Sequence, residues 1–506
     1  MFQYYRLAAI TGTSLLLLLV ARCLYHLTFH PLAKYPGPKL AALTEYWYAF
    51  AWASGNYPNI MLKAHQEYGN VVRTGPNKLS FATVQAHHDI YGHKPLFPKS
   101  EWYSGGRFGG IVFERRPEAH VQIRKALAPH FRPRYLRENV EETILDLMSM
   151  VPRLLAETET GAKDGGAAVD ICRLFTMIAF DVIGMITMGK TFDSVRTNTL
   201  HPLADIMHSG AYGATLVPLR NRLWLFDEYI QHKSKGKDPN MLRSQHVMIL
   251  KTEIDKRTAE GGVEHGDDIV AQILREKMLS ETVLFSNIVN LLIAGSETVA
   301  TCLSTAVWLL SQPENRRYLT RVREEVRGTF GSERDINGES AARLPFLKAV
   351  IDETLRLVPP SPFGQSRSTP QPGAMVDGRH IPGGTDVSVD IWTLQKSSRY
   401  WADADQFRPE RWLDRESLND EDKLAWDQSG FSKDDRGAFQ PFSEGPRSCP
   451  GQGLTYLEVG IVLARIVWVY DWKLVCHDDY DWMAGFRLEF MWRKPPLMVK
   501  LFPRAD

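Results

Sequence analysis

The ten residues Phe442-Ser443-Glu444-Gly445-Pro446-Arg447-Ser448-Cys449-Pro450-Gly451 run into an apolar segment, Leu454 to Tyr470, that reads as a helix. A lone cysteine is far more often a small buried hydrophobe than a ligand. Here the cysteine has unusual company ahead of a helix: Phe442, Gly445, Arg447 and Gly451. A ligating thiolate needs backbone N–H groups to tune its charge, and glycines at 445 and 451 let the backbone come close. Phe442 can shield the sulfur from water and Arg447 can pair with an anionic group. The N-terminus of the following helix favours a negative ligand.

Apolar residues make up 44% of the 506 and charged residues 24%, the balance of a globular protein with a large core. At about 150 residues per domain the length alone suggests three domains, a soft prior. The net charge of +1 gives no global field for nucleic acid or a strongly acidic partner. The five cysteines, Cys23, Cys172, Cys302, Cys449 and Cys476, are odd in number and far apart. No disulfide framework or zinc cluster is expected, which fits a reducing compartment such as the cytosol.

Leu7 to Ala21 carries no charge and follows Tyr4 and Tyr5, which suit a membrane interface. Counted from Tyr4 the stretch has 18 residues, short for a span and interrupted by Arg6. A cleaved signal peptide is the alternative, but no small-residue cleavage site follows. Arg22, His26, His30, Lys34 and Lys39 follow instead, which places the body of the protein in the cytosol. Tyr35-Pro36-Gly37-Pro38 cannot continue a helix and stiffens the link. The expected organisation is a membrane anchor over 1–24, a Pro/Gly-rich linker over 25–40 and one large domain over 41–506, where no repeat or compositional break occurs.

Strand signals are sparse: Val71 to Phe81, an Asp-Gly turn within Met375 to Arg379, and alternation over Val387 to Ile391. Three stretches read as exposed connections: Glu157 to Ala167, Arg257 to Asp268, and Asp414 to Gly437. The remainder is mostly helical. Leu344 to Val358 places Leu347, Val350, Ile351, Thr354 and Val358 on one face and stops at Pro359-Pro360. A longer helix over Glu281 to Gln312 would be about 48 Å long, enough to cross a domain. The pattern is mostly α with small β-sheets.

Four further stretches matter: Glu353-Thr354-Leu355-Arg356 with Phe407-Arg408-Pro409-Glu410-Arg411-Trp412; Ala294-Gly295-Ser296-Glu297-Thr298; His120-Val121-Gln122-Ile123-Arg124; and Arg367. Each has a plain alternative. Glu and Arg at i, i+3 are usually solvated, a mid-helix glycine is usually a packing residue, and a His and Arg one turn apart are usually on the surface. In this order, with the Cys449 loop, they resemble the cytochrome P450 family almost continuously from His120 to Trp482. The style is that of microsomal members from filamentous fungi that decorate secondary metabolites. Val299 departs from the Thr or Ser often found there, and His120 stands where many members carry Trp.

The resemblance implies the cytochrome P450 fold, with haem b as cofactor and Cys449 as its iron ligand. Arg447, His120, Arg124 and Arg367 would contact the propionates, with Phe442 and Gly451 at the sulfur. Ala294 and Gly295 would open an oxygen groove, Thr298 and Glu297 would relay protons, and Glu353, Arg356 and Arg411 would form a structural triad. It also implies a monooxygenase that inserts one atom of dioxygen into an apolar small molecule, with electrons from NADPH–cytochrome P450 reductase. No GxGxxG follows a strand, so electrons must come from outside. Arg115, Arg116, Arg124, Lys125, Arg132, Arg134 and Arg137 lie against one acid, Glu118, and offer a docking patch for an acidic reductase, or else a solvated face. The implied location is the endoplasmic reticulum membrane, single-pass, with the catalytic domain cytosolic.

The substrate pocket is expected from the Phe97 to Phe113 loop, Phe285 to Ala294, Pro362 to Gln365 and the Met483 to Phe486 turn. Phe97, Trp102, Tyr103, Phe108 and Phe113 suggest an apolar ligand, although core packing explains them as well. Terpenoid, polyketide and alkaloid skeletons stay open. A haem-thiolate isomerase or peroxygenase, which has no use for the Glu297-Thr298 pair, and a non-catalytic haem sensor or electron carrier are the rival functions.

Overall fold

The computed structural model of the protein describes residues 2–92, 96–105, 109–158, 167–204, 239–259, 264, 266–418, 420–475 and 480–504. Phe108, Cys476 and most of the Glu157 to Ala167 stretch lie outside them.

A long helix, Glu281–Ser311, forms the axis of the domain. It ends one residue before the expected Gln312, which takes extended φ and ψ because Pro313 disfavours a helical predecessor. Against it pack Ile171–Met188, Pro345–Leu357 and Gln452–Val469. Pro345 opens its helix at the first turn, where no N–H is needed.

Three of these helices are apolar enough to be mistaken for membrane spans. Protein covers 89% of the apolar window of Ile171–Met188, 56% of that of Glu281–Ser311 and 67% of that of Gln452–Val469, so their apolarity belongs to the core. The N-terminal segment Gln3–Phe29 is different: its most apolar 18-residue window has mean hydropathy 2.0 and is 0% buried. Its apolar surface has no protein to pack on, which is consistent with membrane anchoring.

The end of this segment and the stretch after it are fixed to the domain. Leu32 is buried, Arg73 N–H donates to Pro36 O at 2.7 Å, and the Arg73 guanidinium donates to His26 O at 2.7 Å.

The three strand regions that the sequence suggested are present, and further strands stand where it gave no signal. Val71–Gly75 and Lys78–Phe81 form a hairpin that continues through Asp386–Val389, parallel, to Arg367–Ser368. Gly373–Val376 and Arg379–Pro382 pair around Asp377-Gly378, both at positive φ. Asp386–Val389 stops short of Ile391, which opens a short helix with Asp390 as its cap. A three-stranded sheet joins Ala167–Asp170, Met498–Pro503 and Tyr470–Leu474.

One of the expected exposed connections needs correction, and a second is exposed between its ends among the described residues but pinned at those ends. Asp414 to Gly437 contains a helix, Asp420–Ser429, and then buries Phe431 and Asp434. Arg257 and Asp268, the ends of the second, form a buried ion pair with each other. Charge density made both look solvated; pairing allows the charges inside.

Candidate functional site

The Cys449 loop is shaped by one glycine. Gly445 has φ +72°, and a Cβ there would lie 2.1 Å from Tyr91 O, so no side chain fits. Cys449 N–H donates to Phe442 O at 2.9 Å and closes the loop. Gly451 has an ordinary φ of −85° and begins the Gln452–Val469 helix. A Cβ on it would meet only Cys449 Sγ, at 3.7 Å, and would fill space beside the sulfur. Phe442 packs on Tyr456 with ring centroids 5.7 Å apart and lines the cavity onto which Cys449 opens. Burial pushes the Cys449 thiol up, while the N–H groups of Gly451 and Gln452 and the Arg124 charge pull it down. A bound metal ion removes a coordinating thiol's proton outright.

Cations gather on the same cavity. Lys99, Arg124 and Arg447 line it together with His120, and Arg367 stands behind them, 5.2 Å over the Tyr91 ring. No acidic side chain lines the cavity among the described residues. The cations rest on neutral oxygens. Arg447 donates to Glu114 O at 2.8 Å and Arg124 to Ser448 O at 2.6 Å. Lys99 donates to Ile111 O at 2.9 Å and Val112 O at 2.7 Å, and Arg367 to Gln365 Oε1 at 3.1 Å.

The electrostatic consequence is severe. Burial, then Arg447, Lys99, Arg124 and Arg367, lower the His120 pKa to about 3, so the ring is neutral. Burial, then Arg367 and Arg447, push Lys99 well below the ordinary lysine range, and burial with Arg367 brings Arg447 down to about 10. The nearest acid, Glu114, is engaged by Arg116 at 3.0 Å. A dianionic ligand in the cavity would relieve this repulsion, and a thiol opening onto the same space suits a metal at that ligand's centre. The residues present therefore fit an iron porphyrin with two carboxylates. Lys99 is the member of this set that the sequence reading missed; a single lysine before an aromatic loop carries no motif.

The long helix supplies Ala294, Gly295 and Thr298 to the cavity wall. Thr298 Oγ1 donates to Ala294 O at 2.6 Å. Gly295 also meets the Ile171–Met188 helix: a Cβ would stand 2.6 Å from Ile183 Cγ1, so close helix packing alone requires glycine. Glu297 does not line the cavity. Its Oε2 lies 3.2 Å from Lys494 Nζ, which also donates to Thr301 Oγ1 at 2.9 Å. Successive residues of a helix point about 100° apart, so an acid beside Thr298 in sequence faces elsewhere. Neighbours in the motif therefore face different surroundings.

Beneath the site, Glu353 accepts from Arg356 at 2.8 Å through each oxygen, from Trp412 Nε1 at 2.9 Å, from Arg408 N at 2.9 Å and from Arg411 at 3.2 Å. Arg356 also donates to the carbonyls of Gln395, Ala404 and Gln406. A fourth charge completes the set: Asp434, out of the stretch read as an exposed loop, pairs with Arg411. Two carboxylates now balance two guanidiniums. Burial at Glu353 is outweighed by Arg356 and Arg411, which hold its carboxyl below the usual range; at Asp434 burial prevails and raises it.

The apolar wall differs from expectation. Phe97 and Trp102 are core residues, and Phe285 and the Met483 to Phe486 turn are not among the lining residues. Tyr103, Phe363, Phe490 and Met491 are. Phe490 turns the hairpin of Arg487–Glu489 and Met491–Arg493 at φ +64°, rare for a bulky residue, and stacks on Phe113 at 5.9 Å. Sequence gave no sign of that turn.

A mostly helical domain with a cysteine loop and buried cations around one apolar cavity defines a haem-thiolate protein. The chain belongs to the cytochrome P450 family, whose model matches residues 36–501. It is 36% identical over 493 residues to the cytochrome P450 monooxygenase poxC of Penicillium oxalicum, covering 96% of this chain and 92% of that one. It is 32% identical over 504 residues to the cytochrome P450 monooxygenase cpaH of Aspergillus oryzae, covering 97% and 94%. A third relative, the cytochrome P450 monooxygenase astJ of Aspergillus oryzae, is 33% identical over 495 residues. The protein is thus a P450 monooxygenase with a haem-iron cofactor, acting with dioxygen, a small-molecule substrate and a redox partner.

Proposed function

We propose that Cys449 holds haem b, that Arg447, Arg124, Arg367, His120 and Lys99 receive its propionates, and that the enzyme oxygenates an apolar secondary metabolite. The observation that carries this reading is the group of cations, with no acid beside them among the described residues, on the cavity onto which Cys449 opens. Bound haem iron would supply the activation of dioxygen and the oxidising power. Phe442 and Gly451 shape the space at the sulfur. Thr298 turns its hydroxyl from Ala294 O toward the cavity as a proton donor, and Glu297 resupplies the proton. The apolar lining (Ile111, Val112, Phe131, Leu291, Phe363, Phe490) selects an apolar skeleton and excludes water.

Residues 1–24 anchor the protein in the endoplasmic reticulum membrane, 25–40 link it, and 41–506 form the cytosolic catalytic domain. NADPH–cytochrome P450 reductase supplies electrons through the basic face on which Lys125, Arg132, Arg134 and Arg137 are exposed. The test is product analysis under heavy-isotope dioxygen with NADPH, reductase and candidate terpenoid, polyketide and indole substrates. One labelled oxygen in the product supports monooxygenation; unlabelled product formed without NADPH supports an isomerase or peroxygenase instead.

A further inference from the structure

Lys494 is a buried lysine with no place in the reading above. Its side chain is 5% exposed. The ammonium reaches the long helix at two points, Glu297 Oε2 at 3.2 Å and Thr301 Oγ1 at 2.9 Å, and its own strand end at Trp492 O, 3.4 Å. Burying a lysine is costly unless it is paired, and Glu297 is the carboxylate that pairs it. Lys494 follows directly on Met491–Arg493, the strand that starts at the tight turn of Phe490. Phe490 and Met491 line the cavity. One short segment therefore touches the substrate space at one end and holds the motif acid at the other.

We propose that Lys494 is a positioning residue that ties Glu297 to the Phe490 hairpin, so that the hairpin's position in the cavity governs whether Glu297 can deliver protons. This rests on the reading of Glu297 as the group that resupplies protons. While the ion pair is closed, Glu297 is an ionised carboxylate held off the cavity. When the hairpin shifts, Lys494 draws away and the carboxylate is released to take a proton from water and pass it toward Thr298. The proton gained from water equals the proton handed on, so Glu297 returns to its starting state and Lys494 takes no part in the transfer.

The experiment compares the holoenzyme with Lys494→Met, Lys494→Arg, Glu297→Gln and the double variant Lys494→Met/Glu297→Gln, each checked for haem content. Three quantities are read: product formed per NADPH consumed, the solvent deuterium isotope effect on turnover, and the thermal midpoint. Lys494→Met leaves Glu297 released whatever the hairpin's position, so protons arrive out of step with the substrate: product per NADPH is expected to fall severalfold and the isotope effect to change. Lys494→Arg restores most of both. In the thermal midpoint the double variant falls by less than the sum of the single variants, because the two residues share one ion pair. Should Lys494→Met fail to hold haem, Thr301→Val, which removes one anchor of the ammonium and strands no charge, is read in the same way. Coupling and isotope effect unchanged in the lysine variants but altered in Glu297→Gln overturn the tether alone. No change in Glu297→Gln itself overturns the proton role and the tether with it.

Discussion

Replacing Asp434 by Asn takes one carboxylate out of a buried set of four charges. Glu353 and Arg356 are fully buried, and Arg411 and Asp434 are 1% and 4% exposed. Asp434 accepts from Ala402 N–H at 2.7 Å through one oxygen and pairs with Arg411 through the other. An Asn oxygen can keep one of these bonds, but the charge is lost and the buried set is left with an excess positive charge. Breaking a buried pair from one side costs about 3–5 kcal/mol. Arg411 keeps Glu353 at 3.2 Å and Ala402 O at 2.7 Å, which places Asp434→Asn near the low end, about 3 kcal/mol. At about 2.1 cal/mol/K per residue, a chain of this length has an unfolding entropy near 1 kcal/mol/K, so the midpoint falls by about 3 °C. The assay is the thermal midpoint at fixed scan rate, followed by far-ultraviolet circular dichroism and by haem absorbance. Asp434→Ala falls further. Midpoints of both variants within about half a degree of the parent would refute the charge-balance reasoning.

Gly295→Ala is expected to destabilise by about 1–3 kcal/mol through overpacking on Ile183. Combined with Ile183→Ala it costs less than the sum of the single changes, whereas strict additivity in denaturant unfolding would place the glycine's role elsewhere. Glu458 is fully buried on the Gln452–Val469 helix, one of its oxygens has no hydrogen-bond partner among the described residues, and burial raises its pKa from 4.5 to about 8. For an acid raised in this way, stability is complete below the unfolded pKa and is lost as pH climbs from about 4.5 to 8, by roughly 1.4 kcal/mol per unit. Glu458→Gln should abolish that loss and be the more stable protein at pH 8; parallel pH–stability curves would contradict it. Thr298→Ala should retain haem but divert NADPH consumption from product to hydrogen peroxide, and unchanged coupling would remove Thr298 from proton delivery.

The parts of the site that repeat at fixed spacing could be read in the sequence. The Cys449 loop, the Glu353–Arg356 turn and the long helix are each local, so their offsets carry the information. The parts assembled by tertiary packing could not. Lys99, Asp434 and Lys494 are single charged residues whose partners stand at no fixed motif spacing, and composition marks each as solvent-facing. Asp434 was hidden by its acidic neighbours. The aromatic run from Phe97 to Phe113 read as pocket because aromatics suit either a ligand or a core; the chain turns Phe97 and Trp102 inward and gives the wall to Tyr103 and, from the other end of the chain, to Phe490. The direction of Glu297 was not legible for a simpler reason: adjacency in a motif is not adjacency in space, since a helix separates consecutive side chains by about 100°.

The claim on which the rest depends is that the Cys449 thiolate is the iron ligand. The reduced carbon monoxide difference spectrum of the purified protein, beside that of Cys449→His, tests it most directly. The parent should bind stoichiometric haem b and give the red-shifted band of a thiolate ligand, and Cys449→His should lose that band while any haem it keeps absorbs as an imidazole complex. A thiolate band that survives in Cys449→His would contradict the assignment.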